Sequence, residues 1–243
     1  MHRERPIVIA VGGFASDTGK TTLVCELLRA LPGSEAVKTT RGHYRSCGKD
    51  PRACCVAPLL GPEALVLSGR AETYAPGKDT GRYWDAGAAN VHWVVAAGGQ
   101  VAEGFGRALS RVTAPLVVVE GNSFLRQFEA DFVVMAVSAG AQKIKPTARQ
   151  VLGRASAFYL AAASGRVGAA DLEAFEALLG REGFGDLTAR ARVYTPETLA
   201  QLIARVREVG GRGEGSAGSE GGAGSAGGHT RSEAAARVIS GER

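Results

Sequence analysis

Val8-Ile9-Ala10-Val11-Gly12-Gly13-Phe14-Ala15-Ser16-Asp17-Thr18-Gly19-Lys20-Thr21-Thr22 decides the reading of this chain. An apolar strand pattern runs into a loop of small residues, then Gly-Lys-Thr-Thr, then Leu23, Val24, Leu27, Leu28 and Leu31 at helical spacing. A loop that cradles phosphates needs these parts in this order. Backbone N–H groups of the loop and first helical turn converge on the anion, and the helix dipole favours negative charge there. The expected phosphate cradle is Ser16, Asp17, Thr18, Gly19, Lys20, Thr21 and Thr22. Lys20 would reach the β- and γ-phosphates, and the Thr21 hydroxyl would ligate Mg²⁺. The spacing departs from G-x-x-x-x-G-K-[ST] at one place: Phe14 holds the first glycine position, with Gly13 one residue earlier. The competing reading is a glycine-rich turn with a chance Gly-Lys-Thr. Asp17 can face the metal, the attacking group or solvent.

Working outward, 243 residues with 45% hydrophobic content allow one α/β domain with a substantial core. The formal charge is +5. Residues 36–82 hold eight Lys/Arg against four Asp/Glu, whereas the segment from Gly210 onward balances four Arg against four Glu. Positive charge beside the loop suits a nucleotide or another anion. A nucleic-acid surface calls for a longer basic stripe with interleaved aromatics, and none is present, so no nucleic-acid partner is expected. No apolar run is long enough to span a bilayer, and the first one is already the loop's own strand, so no membrane or signal segment is expected. Four Cys without an export signal point to a reducing cytoplasm.

Along the chain, strands are expected at 6–13, 35–40, 63–68, 91–97, 116–121, 132–137, 157–162 and 193–195. Helices are expected at 23–31, 83–89, 101–112, 146–154 and 171–181, with a last one opened by Thr195-Pro196-Glu197 and running to about Glu208. Their alternation predicts a doubly wound, mainly parallel α/β sheet in a three-layer sandwich of the P-loop NTPase kind. Residues 1–209 form the expected nucleotide-binding domain, with 41–77 a Cys-containing insertion. Residues 210–243 form a Gly/Ser-rich tail unable to bury enough apolar surface to fold, apart from a short helix at 232–239, docked or frayed.

Ligands of open parallel sheets bind at the carboxyl ends of the strands. That rule brings together the loop, Lys38 to His43, Lys78 to Arg82, and Glu120-Gly121. Glu120 follows four apolar residues and reads as a Mg²⁺ or water-orienting carboxylate; capping the strand is the plainer role. His43, Cys47, Cys54 and Cys55 form H-x3-C-x6-C-C. This is a candidate soft-metal set, but its spacing is not a zinc knuckle. The alternative is a Cys-bearing loop packed over the nucleotide. Cys25 reads as a small buried helix residue.

Ser16-x-Thr18-Gly19-Lys20-Thr21-Thr22-Leu23, Lys38, Pro76-Gly77-Lys78-Asp79-Thr80, Ala86-Gly87-Ala88 and Val118-Val119-Glu120-Gly121 occur in this order. Over residues 6–140 the chain resembles the MobB-type adaptors of molybdopterin-guanine dinucleotide biosynthesis. These belong to the P-loop class that also holds dethiobiotin synthetase and the nickel metallochaperone GTPases. The resemblance implies a GTP-binding, weakly hydrolysing, homodimeric protein assisting a molybdenum cofactor biosynthesis protein. It also implies phosphate contacts from Lys20, Lys38 and Lys78, Mg²⁺ held by Thr21 and Glu120, and catalytic roles for Asp79 and Glu120. The chain between Lys38 and Lys78 is longer than the family needs. After Ala157-Phe158-Tyr159-Leu160 the chain reads Ala161-Ala162-Ala163-Ser164-Gly165-Arg166, without the carboxylate of an Asn-Lys-x-Asp guanine reader. GTP and ATP therefore both stay open. So do an ATP-dependent small-molecule kinase or ligase of the dethiobiotin synthetase type and a metallochaperone NTPase.

Overall fold

Successive residues of β1 (Ile7–Gly13) bury opposite faces, Val8 and Ala10 in one core, Ile9 and Val11 in the other. A strand apolar on both sides needs helices above and below it. The computed structural model describes residues 5–42 and 56–211 and supplies both layers. Eight strands form one sheet: β1, β2 (Glu35–Arg41), β3 (Leu65–Ser68), β4 (Val91–Ala96), β5 (Leu116–Glu120), β6 (Phe132–Ser138), β7 (Ala157–Ala161) and β8 (Arg192–Tyr194). Their order is β3-β4-β2-β5-β1-β6-β7-β8, parallel throughout except for β3, which runs antiparallel along the edge.

One face carries α1 (Lys20–Ala30), α3 (Asp79–Asp85) and α8 (Leu199–Gly211). The other carries α4 (Val101–Arg111), α5 (Pro146–Arg149), α6 (Ala169–Arg181) and α7 (Leu187–Arg190). Phe105, Phe124 and Phe128 stack together on that second face. A short helix, α2 (Arg70–Thr73), links β3 to the α3 segment. Each large side chain withdrawn fully from water, such as Leu27, Phe105 or Leu152, contributes about 1.5–3 kcal/mol of transfer free energy. The sheet reverses strand order beside β1: the chain leaves β1 through α1, skips the place taken by β5, and returns as β2. The ligand crevice of an open parallel sheet therefore opens above the carboxyl end of β1.

Three expectations need correction. The helix placed at 83–89 lies at Asp79–Asp85, because the N–H groups of Gly87 and Ala88 fold back onto the carbonyls of Trp84 and Tyr83. The helix placed at 146–154 divides into α5 and a 3₁₀ turn at Leu152–Arg154. The chain must return to β7 by residue 157, and Ala148, Val151 and Leu152 reach the core without a continuous helix. The last helix opens as a 3₁₀ turn, Pro196–Thr198, before α8. Of the 41–77 segment, β3 and α2 are seen, whereas His43, Cys47, Cys54 and Cys55 lie outside the described residues. The tail helix expected at 232–239 also lies outside them. Among the described residues no helix is long and apolar enough to cross a membrane.

At the amino end of the sheet, Glu35 is 1% exposed. Its Oε1 accepts from Thr113 N (2.7 Å), Thr113 Oγ1 (2.6 Å) and Ala114 N (2.8 Å), and its Oε2 meets His92 Nε2 at 2.7 Å. Burial opposes ionisation, but the Thr113 and His92 side chains and the two backbone N–H groups outweigh it and hold the carboxyl below its ordinary value. A depressed carboxyl stabilises the fold above its unfolded value of about 4.3 and loses that contribution as pH falls through the folded one. Glu35→Gln should therefore cost about 2–4 kcal/mol at pH 7 in urea unfolding. The gap to the unmodified chain should close as pH drops below about 4. A gap independent of pH would show that ionisation is not its source.

Candidate nucleotide-binding site

The loop at residues 14–19 joins β1 to α1 above the crevice, and Gly19 precedes the helix as its left-handed N-cap, at φ 78°. Gly13 must be glycine for another reason: a Cβ there would stand 2.5 Å from Thr18 Oγ1 and 2.8 Å from Lys20 Cδ. Phe14, which breaks the expected spacing, is wholly buried and meets Phe158 edge-on at 6.1 Å and Phe175 at 6.1 Å. Its backbone is pinned on both sides, N–H to Ala136 O (3.1 Å) and carbonyl to Lys145 N (2.9 Å). The irregular residue anchors the loop into the core beneath it.

Asn122 completes the mount. β5 stops pairing with β1 at Val11↔Glu120, so Gly13 projects past its neighbour. The Asn122 amide continues the ladder in its place, accepting from Gly13 N at 2.8 Å and donating to Gly13 O at 2.9 Å. Gly121, at φ 144°, makes the bend that brings Asn122 there, and a Cβ on it would collide with Thr39.

Above the loop opens a cleft of about 990 Å³, lined by 16–22, Lys38 to Arg41, Asp79, Arg82, 120–123 and Lys145 to Thr147. Lys20 Nζ donates to Ala15 O at 2.9 Å and to Thr18 Oγ1 at 3.3 Å, arching over the loop. Burial lowers its pKa. The ammonium is poorly hydrated there, so a phosphate would be a strong partner. Thr21 Oγ1 lies 3.1 Å from Asp79 Oδ1 and 2.9 Å from Glu120 Oε2. Glu120 is 2% exposed and also accepts from Lys38 Nζ and the Tyr83 hydroxyl. Lys38 Nζ bridges to Asp79 Oδ2 at 2.7 Å. Burial disfavours the Asp79 carboxylate, but Lys38's hydrogen bond and charge, with the Thr21 bond, hold its pKa below the ordinary value. Burial, reinforced by Glu120, drives Tyr83 well above its own, so it stays a donor.

Asp79 and Tyr83 are four residues apart in α3, which puts them on one helix face toward Glu120. That pairing depends on where α3 starts, and the expected 83–89 helix hid it. Tyr83 and Asn122 were the residues missed; an Asn just beyond the Glu-Gly strand end is the one local hint. Lys78 does not join the site: it is exposed, precedes α3, and lies outside the cleft lining, where Arg82 stands instead. Arg82 donates to Thr22 Oγ1 at 3.1 Å. Cys25 is buried with its thiol on Arg82 O at 3.5 Å, and burial raises its pKa.

Sheet, crevice and loop now define the architecture. The fold is a doubly wound, mainly parallel α/β sheet covered by helices on both faces. No protein-family model matches the chain, and no curated protein does. Among solved structures, a zinc-bound triple mutant of the YjiA GTPase aligns over 79% of this chain and 58% of that one, at 16% identity and a TM-score of 0.41. The chain thus spans less than two thirds of that structure.

The donors suit magnesium. Two carboxylates and a hydroxyl are hard oxygen ligands. One Thr21 proton faces two acceptors, an arrangement that a shared cation would relieve. Among the described residues no group of three or more His, Cys, Asp or Glu forms a softer site.

A second cavity, about 600 Å³, opens beyond the carboxyl ends of β7 and β8, between the 166–168 turn and Thr195, Glu197 and Thr198. The Thr195 hydroxyl and Glu197's own N–H hold the exposed Glu197 carboxyl below its ordinary pKa.

If Phe14 seats the loop, Phe14→Ala should cost about 3–5 kcal/mol of unfolding free energy. A stability within about 1 kcal/mol of the unmodified chain would remove that anchoring role.

Proposed function

We propose that the chain binds a nucleoside triphosphate with Mg²⁺ in the crevice above β1 and turns it over slowly. The observation that carries this reading is the meeting of Thr21, Asp79 and Glu120 directly beside the Lys20 loop. The loop amides, the α1 dipole and Lys20 would neutralise the phosphate oxygens. Thr21 and the two carboxylates would hold Mg²⁺, which when bound offsets charge on the phosphates. Phosphoryl transfer depends mostly on positioning and charge stabilisation. Lys38 supplies a further cation on the β2 side, and Asp79 and Glu120 are the acceptors within reach for a water proton.

The finer reading is a GTP-binding adaptor of the MobB type serving molybdenum cofactor maturation, working as a homodimer with a partner enzyme. The order of the loop, Lys38, Asp79 and Glu120-Gly121 supports it. The guanine choice draws support from Glu197. The metal-side cluster lies toward β5 and β2, so a bound base would extend the other way, over β6 to β8. There Glu197 offers the paired acceptors that the 161–166 segment lacks, matching guanine N1–H and N2–H₂.

Calorimetric titration with GTP, ATP and CTP in Mg²⁺ tests both levels. GTP should bind tightest, and Lys20→Ala should abolish tight binding while thermal melting stays unchanged. Glu197→Gln should narrow the preference for GTP over ATP by about tenfold or more. Binding undiminished by Lys20→Ala would overturn the phosphate reading, and equal affinities for GTP and ATP would overturn the guanine assignment. Rapid phosphate release dependent on a small carboxylate substrate would instead favour the dethiobiotin synthetase type.

A further inference from the structure

On the opposite edge of the sheet, below the amino ends of β1, β6 and β8, lies another cavity of about 840 Å³. Three arginines line it, each from a different element: Arg190 ends α7, Arg192 opens β8, and Arg205 lies on α8. One carboxylate lines it as well, Asp131, but its oxygens are already engaged. Arg5 grips both of them, at 2.9 and 2.6 Å, and Val8 N donates to one at 2.8 Å.

The three arginines are weakly compensated. Arg190 reaches Asp186 only at 4.0 Å, both side chains more than half exposed. Arg205 pairs with Glu208, three residues along the same helix, at 2.7 Å, again with exposed side chains. Surface pairs of this kind are screened and worth little. Arg192 has neutral neighbours: its Nη2 donates to Gln201 Oε1 at 2.5 Å, and its guanidinium lies 5.1 Å from the Tyr194 ring centroid. Among the described residues it has no carboxylate within salt-bridge distance. Ser156 adds a hydroxyl whose oxygen accepts from Val133 N at 3.1 Å, which directs its own proton elsewhere.

Three like charges facing one concavity repel, and an anion among them removes that repulsion. Planar guanidinium forks match the paired oxygens of phosphate and carboxylate. A volume within the usual range of about 300–1,000 Å³ suits a small molecule. We propose that this amino-edge cavity binds a small, multiply charged oxyanion, a phosphate ester or polycarboxylate, separately from the crevice at the carboxyl edge.

The full-length chain carrying Lys20→Ala, which removes the loop lysine, is titrated calorimetrically with pyrophosphate and with citrate. Pyrophosphate represents the phosphate source and citrate the carboxylate source. Saturable binding of either in the sub-millimolar range, weakening with added salt, is the expected result. Adding Arg192→Gln and Arg205→Gln should lower that affinity about tenfold or more, with the melting temperature preserved. In the chain that keeps Lys20, the same two changes should leave GTP affinity unaltered, which separates this site from the nucleotide reading. No saturable binding, or binding indifferent to the two arginine changes, would overturn the proposal. So would binding confined to an acidic peptide or an oligonucleotide, which would make the arginines a docking face for a macromolecule.

Discussion

Glu120 carries a negative charge almost wholly withdrawn from water, and such a group is tolerated only where donors and cations close around it. Here they come from three separate elements: Lys38 on β2, Thr21 at the start of α1 and Tyr83 on α3, with Asp79, one turn before Tyr83, pairing with the same Lys38. Each of these elements is thereby fixed relative to the end of β5. Removing any one donor leaves a buried acceptor uncompensated, so the cluster acts as a keystone for the crevice as well as a set of ligands. The chemistry proposed for the site and the packing that holds it share the same atoms.

The loop above β1 shows a second form of the same economy. Its cleft-facing side is made of small residues and backbone amides, which carry little packing of their own. Its rigidity is imported from below, through the Phe14 ring among Phe158 and Phe175, and from the side, through the Asn122 amide on Gly13. An aromatic residue where the consensus has glycine is compatible with the loop because its side chain points into the core rather than into the cleft.

Much of the site could be read in advance because its parts are contiguous or sit at strand ends. Gly19-Lys20-Thr21 is a single stretch, and Glu120 closes an apolar run whose carboxyl end must face the crevice. Lys38 follows from the same rule. Tyr83 and Asn122 could not be read so, since their roles depend on the starting residue of a helix and on one strand outrunning its neighbour. Lys78 was misplaced for the same reason: one residue separates the helix face that meets Glu120 from the solvent. Glu197, the carboxylate proposed above for the base, lies some thirty residues beyond the 161–166 segment but shares a cavity with the end of that connection, because β7 and β8 lie side by side.

The sequence by itself determined the alternation of strands and helices, the parallel class of the sheet, and the small-residue loop between β1 and α1. These depend on periodicity and on neighbouring residues, which act over a few bonds. Strand order, the antiparallel edge strand β3, the closing of three elements around Glu120 and the arginine-lined cavity at the far edge were decided only in the tertiary structure. The reason is physical. Those features depend on which strand lies next to which and in what register, and that is set by the simultaneous burial of both sheet faces, a condition no local stretch contains.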